Sequence, residues 1–166
     1  MFFRLKSYFK FLLKSTNEHG IHSPFIFKYL TNCLYKKPRK STDKTLDILL
    51  KSIAYFQFKN VVIDDNSLYK EAMLENFPNL TSNPTKTDLI LYNSAKKIKS
   101  SSFFSEYQLH NSSLILVKNI HGSPLEYSNW CNLIKSEKVT VSIDMFYCGA
   151  LFIRKEQQKQ HFTIRI

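Results

Sequence analysis

The chain reads as an α/β protein with a mostly parallel sheet, and three observations lead there. From residue 60 onward, short apolar runs alternate with helical stretches, the rhythm of strand–helix–strand units. Two of the runs, Asp88-Leu89-Ile90-Leu91-Tyr92 and Ser113-Leu114-Ile115-Leu116-Val117, are apolar without alternation, as strands covered on both faces are. The last runs, 139–147 and 150–154, join at Cys148-Gly149 and read as an antiparallel hairpin.

The elements follow in order. Phe2, Leu5, Phe9, Leu12 and Leu13 recur at helical spacing with Arg4, Lys6, Lys10 and Lys14 among them. This predicts an amphipathic helix whose apolar stripe packs on the rest of the domain; a membrane surface is the other place such a stripe lies. Asn17-Glu18-His19-Gly20 ends that helix. Ser23-Pro24, a cap followed by proline in the first turn, predicts a second helix over 24–34. After the basic connector Lys36-Lys37-Pro38-Arg39-Lys40, a third helix starts near Thr42 and buries Leu46, Leu49, Leu50, Ile53 and Phe56. Then come a strand over 61–64, a helix over 67–77 with Leu68, Ala72 and Leu74 as its apolar positions, and a loop over 78–84 with room for a very short strand. The strand at 88–92, a short helix over 103–110 and the strand at 113–117 follow. Ser123-Pro124-Leu125-Glu126 is a capping box opening a helix to about residue 136. Residues 161–166 make a final β-type segment. Residues 1–58 form an N-terminal helical segment and 59–166 the sheet, in one domain overall.

Composition narrows the function classes. Hydrophobic residues make up 43% of the 166, enough for a globular core. No run approaches the ~18 apolar residues of a membrane span, and Lys6, Lys10 and Lys14 interrupt any signal-like segment. Cys33, Cys131 and Cys148 form no C-x-x-C pair, so free thiols in a reducing cytoplasm are expected. Net charge is +11, and residues 1–40 hold nine Lys/Arg against the single acid Glu18. That segment suits nucleic acid, an anionic membrane surface or an acidic protein partner, or is a helix with solvated lysines.

Glycine is scarce: Gly20, Gly122 and Gly149 are the only three. The first strand-to-helix turn, Val61-Val62-Ile63-Asp64-Asp65-Asn66-Ser67, has none, although nucleotide-like cofactors are normally cradled there by glycine. Two blocks carry a family likeness. One is His19-Gly20-Ile21-His22-Ser23-Pro24-Phe25-Ile26-Phe27. The other is Val139-Thr140-Val141-Ser142-Ile143-Asp144-Met145-Phe146-Tyr147, continuing through Gly149 and Phe152-Ile153-Arg154-Lys155-Glu156-Gln157 to His161-Phe162-Thr163-Ile164-Arg165-Ile166. Both resemble a bacterial family of class I S-adenosylmethionine-dependent methyltransferase-like proteins, in which an H-G-[IV]-H-S-P-F segment precedes the catalytic sheet. The resemblance implies a trimmed Rossmann-like sheet with N-terminal helices and a C-terminal antiparallel hairpin.

The middle of the chain departs from that family where its chemistry sits. The family's E-I-G-T-S-x-G loop is replaced by Ile63-Asp64-Asp65-Asn66-Ser67. Only ten residues separate Phe77 from Asp88, too few for the strand–helix–strand unit that holds the cofactor's ribose and adenine. The family's acidic D-G-x-H-like stretch reads Tyr92-Asn93-Ser94-Ala95-Lys96-Lys97, and its D-D-I-H reads Lys118-Asn119-Ile120-His121. A degenerate member is therefore expected, with a non-catalytic binding or regulatory role and no cofactor. If S-adenosylmethionine is bound after all, Asp64, Asp65, Asn66, Ser67, Tyr92 and Asn93 are the cofactor-binding candidates and His121 and Asn119 the catalytic ones. A third reading is a basic adaptor that binds nucleic acid or an anionic membrane through residues 1–40. No metal is expected, since Lys118 stands where a ligating acid would be. His19 and His22 are read as fixing their turn, Cys148 as a hairpin-turn thiol without activation, and Trp130 as core.

Overall fold

In the computed structural model, which describes residues 2–64, 67–82, 86–98 and 106–166, a six-stranded mixed sheet is covered by helices on both faces. Lys97 is described in backbone only. Five α-helices stand among the described residues: α1 (Phe2–Lys14), α2 (Pro24–Tyr29), α3 (Lys44–Phe56), α4 (Ser67–Asn76) and α5 (Pro124–Lys135). The strands are β1 (Val61–Ile63), β2 (Thr87–Tyr92), β3 (Leu109–Lys118), β4 (Val141–Asp144), β5 (Cys148–Phe152) and β6 (Gln160–Thr163), in the spatial order β1-β2-β3-β5-β4-β6.

Strands β1, β2 and β3 run parallel, in a register that sets Val61 beside Leu89 and Leu116 beside Leu91. β5 is antiparallel to both neighbours, β3 and β4, while β6 runs parallel to β4. Hence β1, β2, β3, β4 and β6 all point their carboxyl ends to the same edge of the sheet. The two-residue period of the strands divides the core. Leu89, Leu91, Leu114, Leu116, Ala150 and Phe152 face α2, α3 and α4, where Ile26, Tyr29, Leu49, Ile53, Tyr69 and Met73 meet them. Ile90, Ile115, Val117 and Leu151 face Trp130 and Leu133 of α5. Burying one such side chain contributes about 1.5–3 kcal/mol.

Local chemistry explains the boundaries. Ser23 Oγ accepts the Ile26 N–H, Pro24 occupies the first turn, and a π-helical turn (Leu30–Leu34) continues α2. Asp43 Oδ1 caps α3 by accepting the N–H groups of Thr45 (2.8 Å) and Leu46 (3.1 Å). α3 ends at Gln57, whose φ of 55° is left-handed. Ser123 Oγ accepts the Glu126 N–H at 3.2 Å, but the Glu126 carboxylate turns to Ser94 Oγ instead of completing the box. Asn17 Oδ1 accepts the His19 N–H at 3.2 Å, so an asparagine, with His19 and His22 exposed, holds the turn assigned to the histidines.

Four expectations are corrected. On α1, Phe2, Leu5, Phe9 and Leu13 are exposed and Leu12 half-buried; the helix packs through Phe3, Ser7, Tyr8 and Phe11. On α4, Leu68 and Leu74 face solvent while Tyr69 and Met73 are buried. The hairpin turns at Met145-Phe146-Tyr147, and Cys148 and Gly149 lie inside β5. Gly149 is there for space, because a Cβ would come within 2.4 Å of a Trp130 ring carbon. The helix expected over 103–110 fails at Leu109 and His110, which open β3 because Thr87 pairs with Leu109 and Ser113 Oγ donates to the Thr87 carbonyl (2.7 Å). Residues 103–105 lie outside the described residues.

Candidate functional site

The carboxyl edge of the sheet holds a chain of three polar side chains under α1. After β3, Asn119 adopts a left-handed φ of 58°, and the Gly122 N–H returns to its carbonyl at 2.7 Å. This tight turn presents His121 just before Ser123 caps α5. Asp144 is the last residue of β4, and the left-handed Phe146 (φ 67°) bends the following turn so that its N–H meets Asp144 Oδ1 at 2.8 Å. His121 thus reaches over the end of the intervening β5 and meets Asp144 Oδ2 through Nε2 at 2.7 Å. Ser7, on the inward face of α1, closes the chain with its Oγ on His121 Nδ1.

All three side chains are buried: Ser7 is 8%, His121 4% and Asp144 4% exposed. The imidazole is sandwiched between the rings of Phe146 (4.8 Å between centroids, 17° between planes) and Tyr127 (4.7 Å, 30°). Phe11 meets it edge-on at 6.1 Å, and Tyr8 meets Phe146 edge-on at 4.8 Å. Burial, with Cys131 and Asp144 nearby, pushes the Tyr127 hydroxyl up from its ordinary pKa. A carboxylate at Nε2 requires the proton on that nitrogen, so a neutral imidazole accepts the Ser7 hydroxyl proton at Nδ1. A protonated ring instead donates at both ends. The arrangement can therefore hold or pass one proton between a hydroxyl and a carboxylate, with the ring fixed by stacking.

Beside this chain lies a cavity of about 630 Å³ between α1, the end of α5 and β6. Ser7, His121 and Asp144 line its inner wall, with Phe3, Phe11 and Tyr127; Lys6, Lys10 and Lys14 line the α1 side, and His161 and Thr163 the β6 side.

The sequence-derived candidates fall in two places. His121 is in this cavity wall. Asn119 is exposed and works through its backbone, its N–H donating to the Tyr147 carbonyl at 2.9 Å. Asp64, Tyr92 and Asn93 sit beyond β3, at the carboxyl ends of β1 and β2, and do not line the cavity. Asp64 is half-buried, its N–H on the Leu91 carbonyl at 2.9 Å. The Tyr92 ring is buried edge-on to Tyr107 at 6.4 Å; burial first, then Tyr107, raises its hydroxyl pKa. Ser67 opens α4 and is exposed, while Asp65 and Asn66 lie outside the described residues. Lys118, at the end of β3, projects its ammonium over the Tyr69 ring (4.3 Å) and lies 3.9 Å from Asp43 Oδ2.

Sequence reasoning missed Ser7, Tyr127 and the role of Asp144 as hydrogen-bond acceptor for His121. One signal for Ser7 exists: Phe3, Ser7 and Phe11 recur every four residues and form a second stripe on α1 with a hydroxyl at its centre.

Compared with known protein families, with curated proteins and with solved structures, this chain gives no match. Among the described residues no group of three or more His, Cys, Asp or Glu is placed to hold a metal ion, and no helix is long and apolar enough to cross a membrane.

Proposed function

We propose that this chain is a methyltransferase-like protein that does not transfer methyl groups and acts by binding, in a regulatory or recognition role. The sheet is compatible with that ancestry: three parallel strands, then a hairpin strand of opposite direction. Between β1 and β2 the described residues hold α4 and a single parallel rung, Thr81 on Asn60, so one bridge stands where a full strand–helix–strand unit for ribose and adenine is expected. The observation that carries the reading is Lys118. Where the family has an acid, this chain has a cation fixed on Tyr69 and Asp43. Calorimetric titration with S-adenosylmethionine and S-adenosylhomocysteine tests it, and no binding heat is expected from the folded protein. Micromolar binding overturns the reading and supports an active methyltransferase with an atypical loop at Asp64–Ser67.

A second reading rests on α1. Phe2 and Leu13 are 82% and 88% exposed, and Leu5 and Phe9 share their face, beside Lys6 and Lys10. A helix with bulky apolar residues outward and lysines at their flank fits an anionic lipid surface better than nucleic acid, which offers no apolar phase to bury them. Co-sedimentation with phosphatidylglycerol vesicles tests it; equal recovery of wild type and a Phe9→Ser/Leu13→Ser variant would remove this reading.

A further inference from the structure

We infer that the cavity beneath α1 binds an amphipathic organic anion: an acyl or aryl body carrying one acidic head. The inference rests on the binding role proposed above and names its ligand.

Four observations converge. At about 630 Å³ the cavity has the size of a small-molecule site. Its wall supplies an apolar bed in Phe3, Phe11 and Tyr127. Lys6, Lys10 and Lys14 stand on three successive turns along one side of α1, a helix without a single acid. Among the described residues none of these three ammonium groups has a carboxylate within ion-pair distance.

The acid on the wall does not cancel them. Among the described residues Asp144 is the single carboxylate in the lining and has one oxygen on His121 Nε2 and the other on the Phe146 N–H, so three lysines stand against one acid whose oxygens are already occupied. The lysine row therefore gives the mouth a net positive field, which an anionic head meets while its apolar body displaces water from the aromatic bed. Ser7 offers the inner end of the cavity one polar contact, its oxygen keeping an acceptor lone pair while its proton goes to His121.

The test is calorimetric titration of the full chain with sodium decanoate below its micellar concentration, beside decyltrimethylammonium, which has the same chain and the opposite charge. Saturable one-to-one binding of decanoate is expected, with perturbation of the His121 ring resonances. The cationic analogue should bind at least about tenfold more weakly, and Lys6→Gln/Lys10→Gln/Lys14→Gln should weaken decanoate by about tenfold. Those lysines are exposed, so the triple variant keeps the fold, and Trp130 fluorescence verifies it. Phe9→Ser/Leu13→Ser alters only the outward face of α1 and should leave decanoate binding unchanged. Non-saturable binding, equal affinity for both head groups, or loss of binding in the Phe9→Ser/Leu13→Ser variant overturns the inference. Decanoate free in solution and decanoate carried in phosphatidylcholine vesicles separate a soluble source from a membrane one: uptake in either form supports the site, and uptake in neither overturns it. A parallel S-adenosylmethionine titration keeps the two proposals apart, because cofactor binding would sink the non-catalytic reading without touching the cavity.

Discussion

Replacing Gly149 by alanine should destabilise the protein through one side chain, Trp130. The added Cβ would lie 2.4, 2.5 and 2.9 Å from three carbons of the Trp130 six-membered ring. Carbon pairs rest at about 3.5–4.0 Å, so the ring must retreat by roughly 1 Å. It has little room, being 1% exposed and packed with Ile90, Ile115, Val117 and Leu151. Overpacking of a filled core costs about 1–3 kcal/mol, offset by up to about 1 kcal/mol from removing glycine's unfolded-state freedom. A net loss of about 1–2 kcal/mol follows. Trp130 is the only tryptophan, so urea unfolding followed by its fluorescence reports stability and the ring's surroundings together. The reasoning also predicts a compensating partner. In the Trp130→Phe background, Gly149→Ala should cost at least about 1 kcal/mol less, measured by circular dichroism. A loss below about 0.5 kcal/mol in Gly149→Ala, with an unshifted emission maximum, would refute the account.

Other perturbations test separate parts of the fold. Gln57→Gly should raise stability by about 0.5–1 kcal/mol in urea, because an exposed glutamine now holds the left-handed position that ends α3. Lys51→Met should cost about 3–5 kcal/mol, since it leaves the buried Asp47 carboxylate (2.9 Å from Lys51 Nζ) without its counter-ion; adding Asp47→Asn should recover part of that loss. Burial pushes the Asp88 carboxyl up, but the N–H groups of Asn60 and Lys59 (2.8 Å each) and His110 outweigh it and hold it below the usual range. Its stabilisation is therefore complete above the unfolded carboxylate pKa of about 3.9 and is lost as pH falls through the lower folded value. Asp88→Asn should flatten the acid limb of the stability profile, and identical limbs would remove Asp88 from it.

Strands were the most legible part of the chain. Leu89–Tyr92 and Leu114–Val117 are apolar at every position, and their short length and polar flanks favour a strand covered on both sides over a buried helix. Helix faces were less legible, because α1 carries two apolar stripes. Phe2, Leu5, Phe9 and Leu13 form the more hydrophobic one, yet Phe3, Ser7 and Phe11 go inward, since their partners His121 and Phe146 lie more than a hundred residues away. Periodicity reports that a stripe exists and nothing of what meets it. α4 misleads in the same way, with Tyr69 drawn inward by Asp43 at 2.7 Å. Gly149 was read as a turn because glycine marks turns, whereas its missing side chain serves Trp130 and the turn is made by Phe146. Of the site, His121 was readable from its place after a central strand. Ser7 and Asp144 were not, because their roles arise only when α1 folds over the sheet.

One contact ties the two sides of the cavity, α1 and β6, together. Just past α1, Thr16 pairs with Ile164 as a single-residue rung beyond β6: its N–H meets the Thr163 carbonyl at 2.9 Å, and its carbonyl accepts from Arg165 at 3.1 Å. Thr16 is synthesised long before Ile164, so this rung closes only after β6, when His121 and Phe146, the partners of Ser7 and Phe11, are already at hand. Breaking this rung would leave α1 held to the sheet by Ser7, Tyr8 and Phe11 against His121 and Phe146, and would loosen the cavity on its β6 side.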